Sequence, residues 1–226
     1  MSVETKAKAE RIHALLLERY GQPQLRERLD PLSELVLTIL SQNTADRNSH
    51  RAYEALRERF PTWEEVLAAP VEEVAEAIRI GGLAQVKAPR IQSILRQLAQ
   101  EHGALSLDFL AEMSVEEARR FLLSLPGVGP KTAACVLLFS LQKPAFPVDT
   151  HVHRVTRRLG LIGPKTSAEE AHDLLAELVP PEHYFAFHVN LIRHGRAICH
   201  AAAPRCEICP LAPECDHLNL NRQASS

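Results

Sequence analysis

The sequence predicts an all-α protein. Three observations carry that expectation. Helix-start signals recur along the whole chain, apolar residues repeat at helical spacing, and no alternation of apolar and polar residues lasts long enough for a convincing strand. Residues 5–20 place Ile12, Leu15, Leu16 and Tyr20 on one helical face, and Gly21 and Pro23 stop the run. Asp30-Pro31 opens the next helix, with Leu32, Leu35, Val36, Ile39 and Leu40 on its apolar face. Asp46 is a candidate cap for a third helix carrying Ala52, Leu56 and Phe60. Three capping boxes follow, each a hydroxyl residue with Glu three positions on: Thr62/Glu65, Ser114/Glu117 and Ser167/Glu170. Val86 to His102 reads as helix, with Pro89 in its first turn and Gly103 at its end. The polar tail after Asn219 is expected to fray.

Composition narrows the function classes. The 226 residues are 46% hydrophobic, enough for a real core, and no apolar run approaches a membrane span. A cytoplasmic protein without membrane contact is expected, nucleoid-associated if bacterial. Net charge is −2, and residues 1–130 carry 16 basic and 19 acidic side chains. Any DNA-binding face must therefore be a local patch. Arg154, Arg157, Arg158, Arg193, Arg196 and Arg205 could form one, although charge alone favours a solvated surface.

Residues 115–141 contain a helix, the tight turn Pro126-Gly127-Val128-Gly129, and a second helix opening at Pro130. Glycines permit a sharp hairpin and close backbone approach. Proline suits the first helical turn, where its missing N–H is not needed. Exposed N–H groups at that helix start, with the helix dipole behind them, can bind an anion such as a DNA phosphate. An ordinary turn between helices is the alternative. Lys131 lies in the first turn, where a cation is disfavoured, so it is a candidate amine nucleophile. A lysine contacting phosphate is the simpler reading of that residue alone. Asp149, in Val148-Asp149-Thr150-His151, precedes a helical stretch and reads first as an N-cap. A carboxylate near Lys131 would also assist proton transfer and stabilise positive charge on a sugar.

Four cysteines close the chain: Cys199, Cys206, Cys209 and Cys215. A protein without a secretory signal is expected, and such tight spacing suggests a metal centre rather than disulfides. Zinc sites favour two short cysteine pairs, and only one is present, which tilts toward iron–sulfur. Cys135, among apolar residues, reads as a core thiol.

Together LPGVGPKTA, VDTHVHRV, HGRAIC and the cysteine tail resemble the endonuclease III family of DNA glycosylases, from about Leu32 to Cys215. The resemblance implies two helical domains with the active site in the cleft between them. One would be a six-helix domain at 23–143. The other would join 1–22 to 144–226 and hold a [4Fe–4S] cluster on the four cysteines. It also implies a monomer acting on damaged double-stranded DNA, with Lys131 as catalytic lysine and Asp149 as essential aspartate. The implied reaction removes oxidised pyrimidines such as thymine glycol and cuts the strand by β-elimination. The family's polar insertion residue falls on Gln42 or Asn43, and its apolar wedge on Leu83. A helix-end hydrogen bond and a buried core leucine are the respective alternatives. Further DNA contacts are implied for Gly127, Val128, Gly129 and His151.

Three departures from the family stand out. The HAAAPR loop holds few basic residues, Pro130 replaces a basic residue often found there, and LSQNTAD differs from the usual wording. Weaker DNA contact from the loop is expected. Two rivals are a monofunctional mismatch glycosylase and a non-enzymatic DNA-binding module with structural zinc. Lys131 argues against the first, as does the absence of a carboxylate in Leu37 to Leu40. Metal analysis separates out the second.

Overall fold

A computed structural model describes residues 2–25 and 28–219, so the polar tail beyond Asn219 lies outside the described residues. The described residues are helical and contain no strand. None of their helices is long and apolar enough to cross a membrane. The chain divides into two compact units: residues 27–143, and residues 1–26 with 144–226.

The unit at 27–143 is built around α2 (Pro31–Ser41), which packs on α3 (Asp46–Arg59). Asp30 caps α2, its Oδ1 accepting the Ser33 N–H at 2.9 Å. Leu35, Val36, Ile39 and Leu40 of α2 are buried against Ala52 and Leu56 of α3 and the rest of the unit's core. Each fully buried Leu or Ile contributes about 1.5–3 kcal/mol. Asp46 is the first residue of α3 rather than its cap. Ala45 holds the cap position with no side-chain bond, and Asp46 is an acidic residue of the first turn. Next come α4 (Trp63–Ala68), α5 (Val71–Ala77) and α6 (Ala84–His102). Because α6 starts two residues earlier than Val86, Pro89 sits in its second turn. The unit ends with α7 (Val115–Ser124) and α8 (Pro130–Cys135). The chain then widens into a π turn over Val136–Ser140, closed by Leu141 N–H to Val136 O at 3.1 Å. Cys135 is buried as a core thiol.

The second unit holds α1 (Val3–Tyr20), α9 (Thr150–Leu159), α10 (Ala168–Leu178) and α11 (Tyr184–Ala197). Both α1 and α9 pack on α11. The three capping boxes form at α4, α7 and α10 as their sequences predict. Two buried histidines fix the segment that enters α9. His172 Nδ1 donates to Phe146 O and His188 Nδ1 to Pro147 O, each at 2.8 Å. The cysteine segment is tied to α1 by ion pairs from Lys8 to Asp216 at 2.5 Å and from Arg11 to Glu214 at 2.7 Å.

Candidate active site

Lys131 is the second residue of α8, directly behind the hairpin. Gly127 takes φ of 70°, and a Cβ there would overlap the Arg90 side chain. The positive φ is what favours glycine here, since the flexible Arg90 side chain could give way. Gly129 has extended backbone as the α8 N-cap, and a Cβ there would meet open space. Its role is therefore cap geometry and access, not a positive φ. Val128 between them is buried and anchors the turn. Its N–H donates to Leu125 O at 3.2 Å.

The loop after α2 carries both candidate polar insertion residues, Gln42 and Asn43. The Gln42 amide donates to Thr132 Oγ1 at 3.2 Å and accepts from Arg90 Nη1 at 2.8 Å. It thereby joins α2, α6 and α8, and Thr132 is the neighbour of Lys131. Asn43 is exposed and left-handed, with φ of 53°. Asparagine tolerates that region; leucine does not. Yet Leu83 has φ of 52° and is 54% exposed. The buried-core alternative for Leu83 is excluded. A non-glycine residue held there stores on the order of 1 kcal/mol or more and persists only where its surroundings enforce it.

Glu34 is a carboxylate that pattern reading passed over among the apolar residues of α2. Burial pushes its pKa up to about 7, against the opposing pull of the Thr38 hydroxyl, the Lys131 charge and His50. Thr38 Oγ1 donates to Glu34 Oε1 at 3.2 Å. A carboxyl in an unfolded chain titrates near 4.5. Between these values the folded protein keeps a proton that the unfolded chain has released. Stability from this group therefore falls as pH rises from about 4.5 to about 7, then levels off. Glu34→Gln is expected to stabilise the protein by on the order of 1–3 kcal/mol at pH 8 and negligibly at pH 5. Urea unfolding at the two pH values measures the difference.

In the other unit, Asp149 is the N-cap of α9, its Oδ1 accepting the Val152 N–H at 2.7 Å. The half-buried His151 faces Arg154 and α11. Its Nδ1 lies 3.1 Å from Arg154 Nη2, and burial lowers its pKa. The arginines expected to form a basic patch are partly spent on internal bonds. Arg154 donates to Gly195 O and Cys199 O, each at 2.9 Å. Arg158 donates to His200 O at 2.7 Å and Ala201 O at 2.8 Å. Arg193 donates to Tyr20 O at 3.3 Å.

All four C-terminal cysteines are free thiols of intermediate exposure. Burial pushes the Cys209 thiol up to about 11, and the charges of Cys199, Cys215 and Cys206 act in the same direction. The four sulfurs therefore share one neighbourhood. Among the described residues no three His, Cys, Asp or Glu side chains converge as ligands of a single ion. A four-iron cluster bonds each sulfur through a different iron, so its thiolates need not meet at a point as a zinc site's must. Burial and the neighbouring sulfurs disfavour the thiolate form of Cys209 and Cys215, a cost that a bound cationic centre would offset. The Arg158 Nη1 contact to Cys199 Sγ, at 3.2 Å, suits a thiolate.

Residues 36–181 match the family model described as HhH-GPD superfamily base excision DNA repair protein. Endonuclease III of Thermotoga maritima is 37% identical over 194 residues, which cover 86% of this chain and 86% of that protein. The Arabidopsis thaliana protein At3g47830 is 40% identical over 190 residues. That match covers 80% of this chain but 64% of the plant protein, just under two thirds of its length. The structure of a non-covalent endonuclease III–DNA complex superposes with a TM-score of 0.82 at 29% identity, over 96% of this chain and 98% of that one.

Proposed function

The chain belongs to the endonuclease III family, within the HhH-GPD superfamily of base excision DNA repair proteins, and from that premise we propose that it is a bifunctional DNA glycosylase and abasic-site lyase for oxidised pyrimidines. The observation that carries the reading is Lys131, held as the second residue of α8 immediately behind the Gly127–Gly129 hairpin. Monofunctional glycosylases have no need of an amine there.

In this reading the hairpin grips a backbone phosphate through its N–H groups, without reading sequence. The damaged nucleotide leaves the stack, because its anomeric carbon is otherwise out of reach. Lys131 Nζ attacks that carbon and the base departs with the electron pair of the glycosidic bond, taking up a proton. The sugar ring opens to an imine on Lys131. Loss of a C2′ proton then expels the 3′ phosphate, which cuts the strand. Asp149 accepts protons during attack and balances positive charge on the sugar. Asn43 fills the gap left by the flipped base and Leu83 wedges the opposite side, since wedging side chains unstack base steps. His151, bonded to Arg154, stiffens the first turn of α9 next to Asp149.

Thymine-glycol duplexes test the substrate class. Strand cleavage there, with little on undamaged or mismatched duplexes, supports the reading; cleavage or base release confined to mismatches favours the monofunctional one.

The four cysteines would hold a [4Fe–4S] cluster, structural or redox-sensing in this reading rather than the seat of base excision. The anaerobically purified protein is expected to be brown, with about four irons per chain, and Cys206→Ser to lose that absorption. A colourless protein with one zinc would contradict this assignment.

A further inference from the structure

Lys87 is 2% exposed, although lysine is among the residue types least often buried. No carboxylate neutralises it among its hydrogen-bond partners. Its Nζ donates to Leu40 O at 2.7 Å, Thr44 Oγ1 at 2.8 Å and Gly81 O at 2.9 Å. An ammonium has three donors, and all three are placed. Leu40 lies in the last turn of α2, where helix carbonyls lack intrahelical partners and a cation is favoured. Thr44 follows Asn43, and Gly81 lies two residues before Leu83. Thr44 Oγ1 also lies against Gly81 O and within 3.1 Å of Gln42 O. One buried ammonium therefore bonds to the loop of Asn43 and to the loop of Leu83, two of the left-handed non-glycine residues. Gly81 itself is closely packed, since a Cβ there would stand 3.0 Å from Ala52 Cβ.

We propose that Lys87 is the positioning residue that sets Asn43 and Leu83 as one rigid two-pronged element for opening a duplex around a lesion. The inference rests on the reading that these two residues enter DNA. Stiffness matters because both prongs must arrive together; a prong that yields lets the base stack again. Neutral acceptors suit the role, since the ammonium meets no competing carboxylate at the loops.

The test compares wild type, Lys87→Met and Thr44→Val. Met keeps the apolar stem and removes the three donors. Val keeps the shape of Thr and removes the shared hydroxyl, so it decides the matter if Lys87→Met does not fold. Three readouts are taken: single-turnover cleavage of a thymine-glycol duplex, fluorescence of 2-aminopurine opposite the lesion, and borohydride trapping on a single-stranded abasic oligonucleotide. The last needs no insertion. Misplacing a reacting group by about 1 Å loses about 100-fold in rate, and Lys87→Met is expected to lose that much on the duplex. Thr44→Val is expected to lose about tenfold by the same reasoning. Both should lose the 2-aminopurine signal, with single-stranded trapping unchanged. Equal losses on duplex and single strand would overturn the proposal, as would a 2-aminopurine response like that of wild type. If wild type itself gives no such response, the insertion reading fails, and this inference with it.

Discussion

Lys131→Ala is expected to abolish strand cleavage on damaged duplexes, by on the order of a thousandfold or more, while DNA binding and folding persist. The side chain belongs to the second residue of α8, a position where alanine is a good helix former. Removing it leaves the Gly127 turn, the Gly129 cap and the Gln42–Thr132 bond in place. Gel assays of cleavage, with a binding isotherm on the same duplex, separate the two effects. A variant that still cuts would assign the covalent chemistry to another amine. Since Glu34 feels the Lys131 charge, the variant should also raise the Glu34 pKa further. Its stability loss between pH 5 and pH 8 should then exceed that of wild type.

Asp149→Asn is the second large effect. Asparagine caps a helix about as well as aspartate, so the bond from Val152 N–H survives and stability should change little. What is lost is the negative charge and the ability to take a proton. Base excision should fall by about 100- to 10,000-fold, the usual range for a positioned acid or base. Asp149→Ala should lose as much activity and, in addition, about 1 kcal/mol of stability with the cap. If the asparagine variant excises at near wild-type rate, Asp149 is only a cap. Combining Asp149→Asn with Lys131→Ala should add little to the loss from Lys131→Ala alone, because groups that act as a unit are not additive.

Much of this was legible in the sequence because the relevant physics is local. A capping box is four consecutive residues bonding to each other, and all three formed where the spelling places them. The Asp30 cap and the Gly127 turn are equally local. Asp46 misled because capping depends on where the first helical dihedral falls, and Ala45 carries the extended backbone. The bonds of Gln42 were not legible, since its partners Arg90 and Thr132 are 48 and 90 positions away in sequence. Lys87 carries no signal in the sequence, because a lone lysine reads as surface until its three acceptors are known. Glu34 was hidden for the opposite reason, as one carboxylate within an apolar face. The division of the chain into a continuous and a discontinuous unit leaves no compositional mark, since no Gly- or Ser-rich linker is needed where the chain crosses twice.

The central claim is covalent catalysis by Lys131, and borohydride trapping tests it most directly. Wild type and Lys131→Ala are each incubated with a thymine-glycol duplex and reductant, and the products resolved by denaturing electrophoresis. The predicted result is a reduced protein–DNA adduct with wild type alone, whose modified peptide contains Lys131. No adduct from wild type that binds the duplex normally, or an adduct that persists in Lys131→Ala, would contradict it.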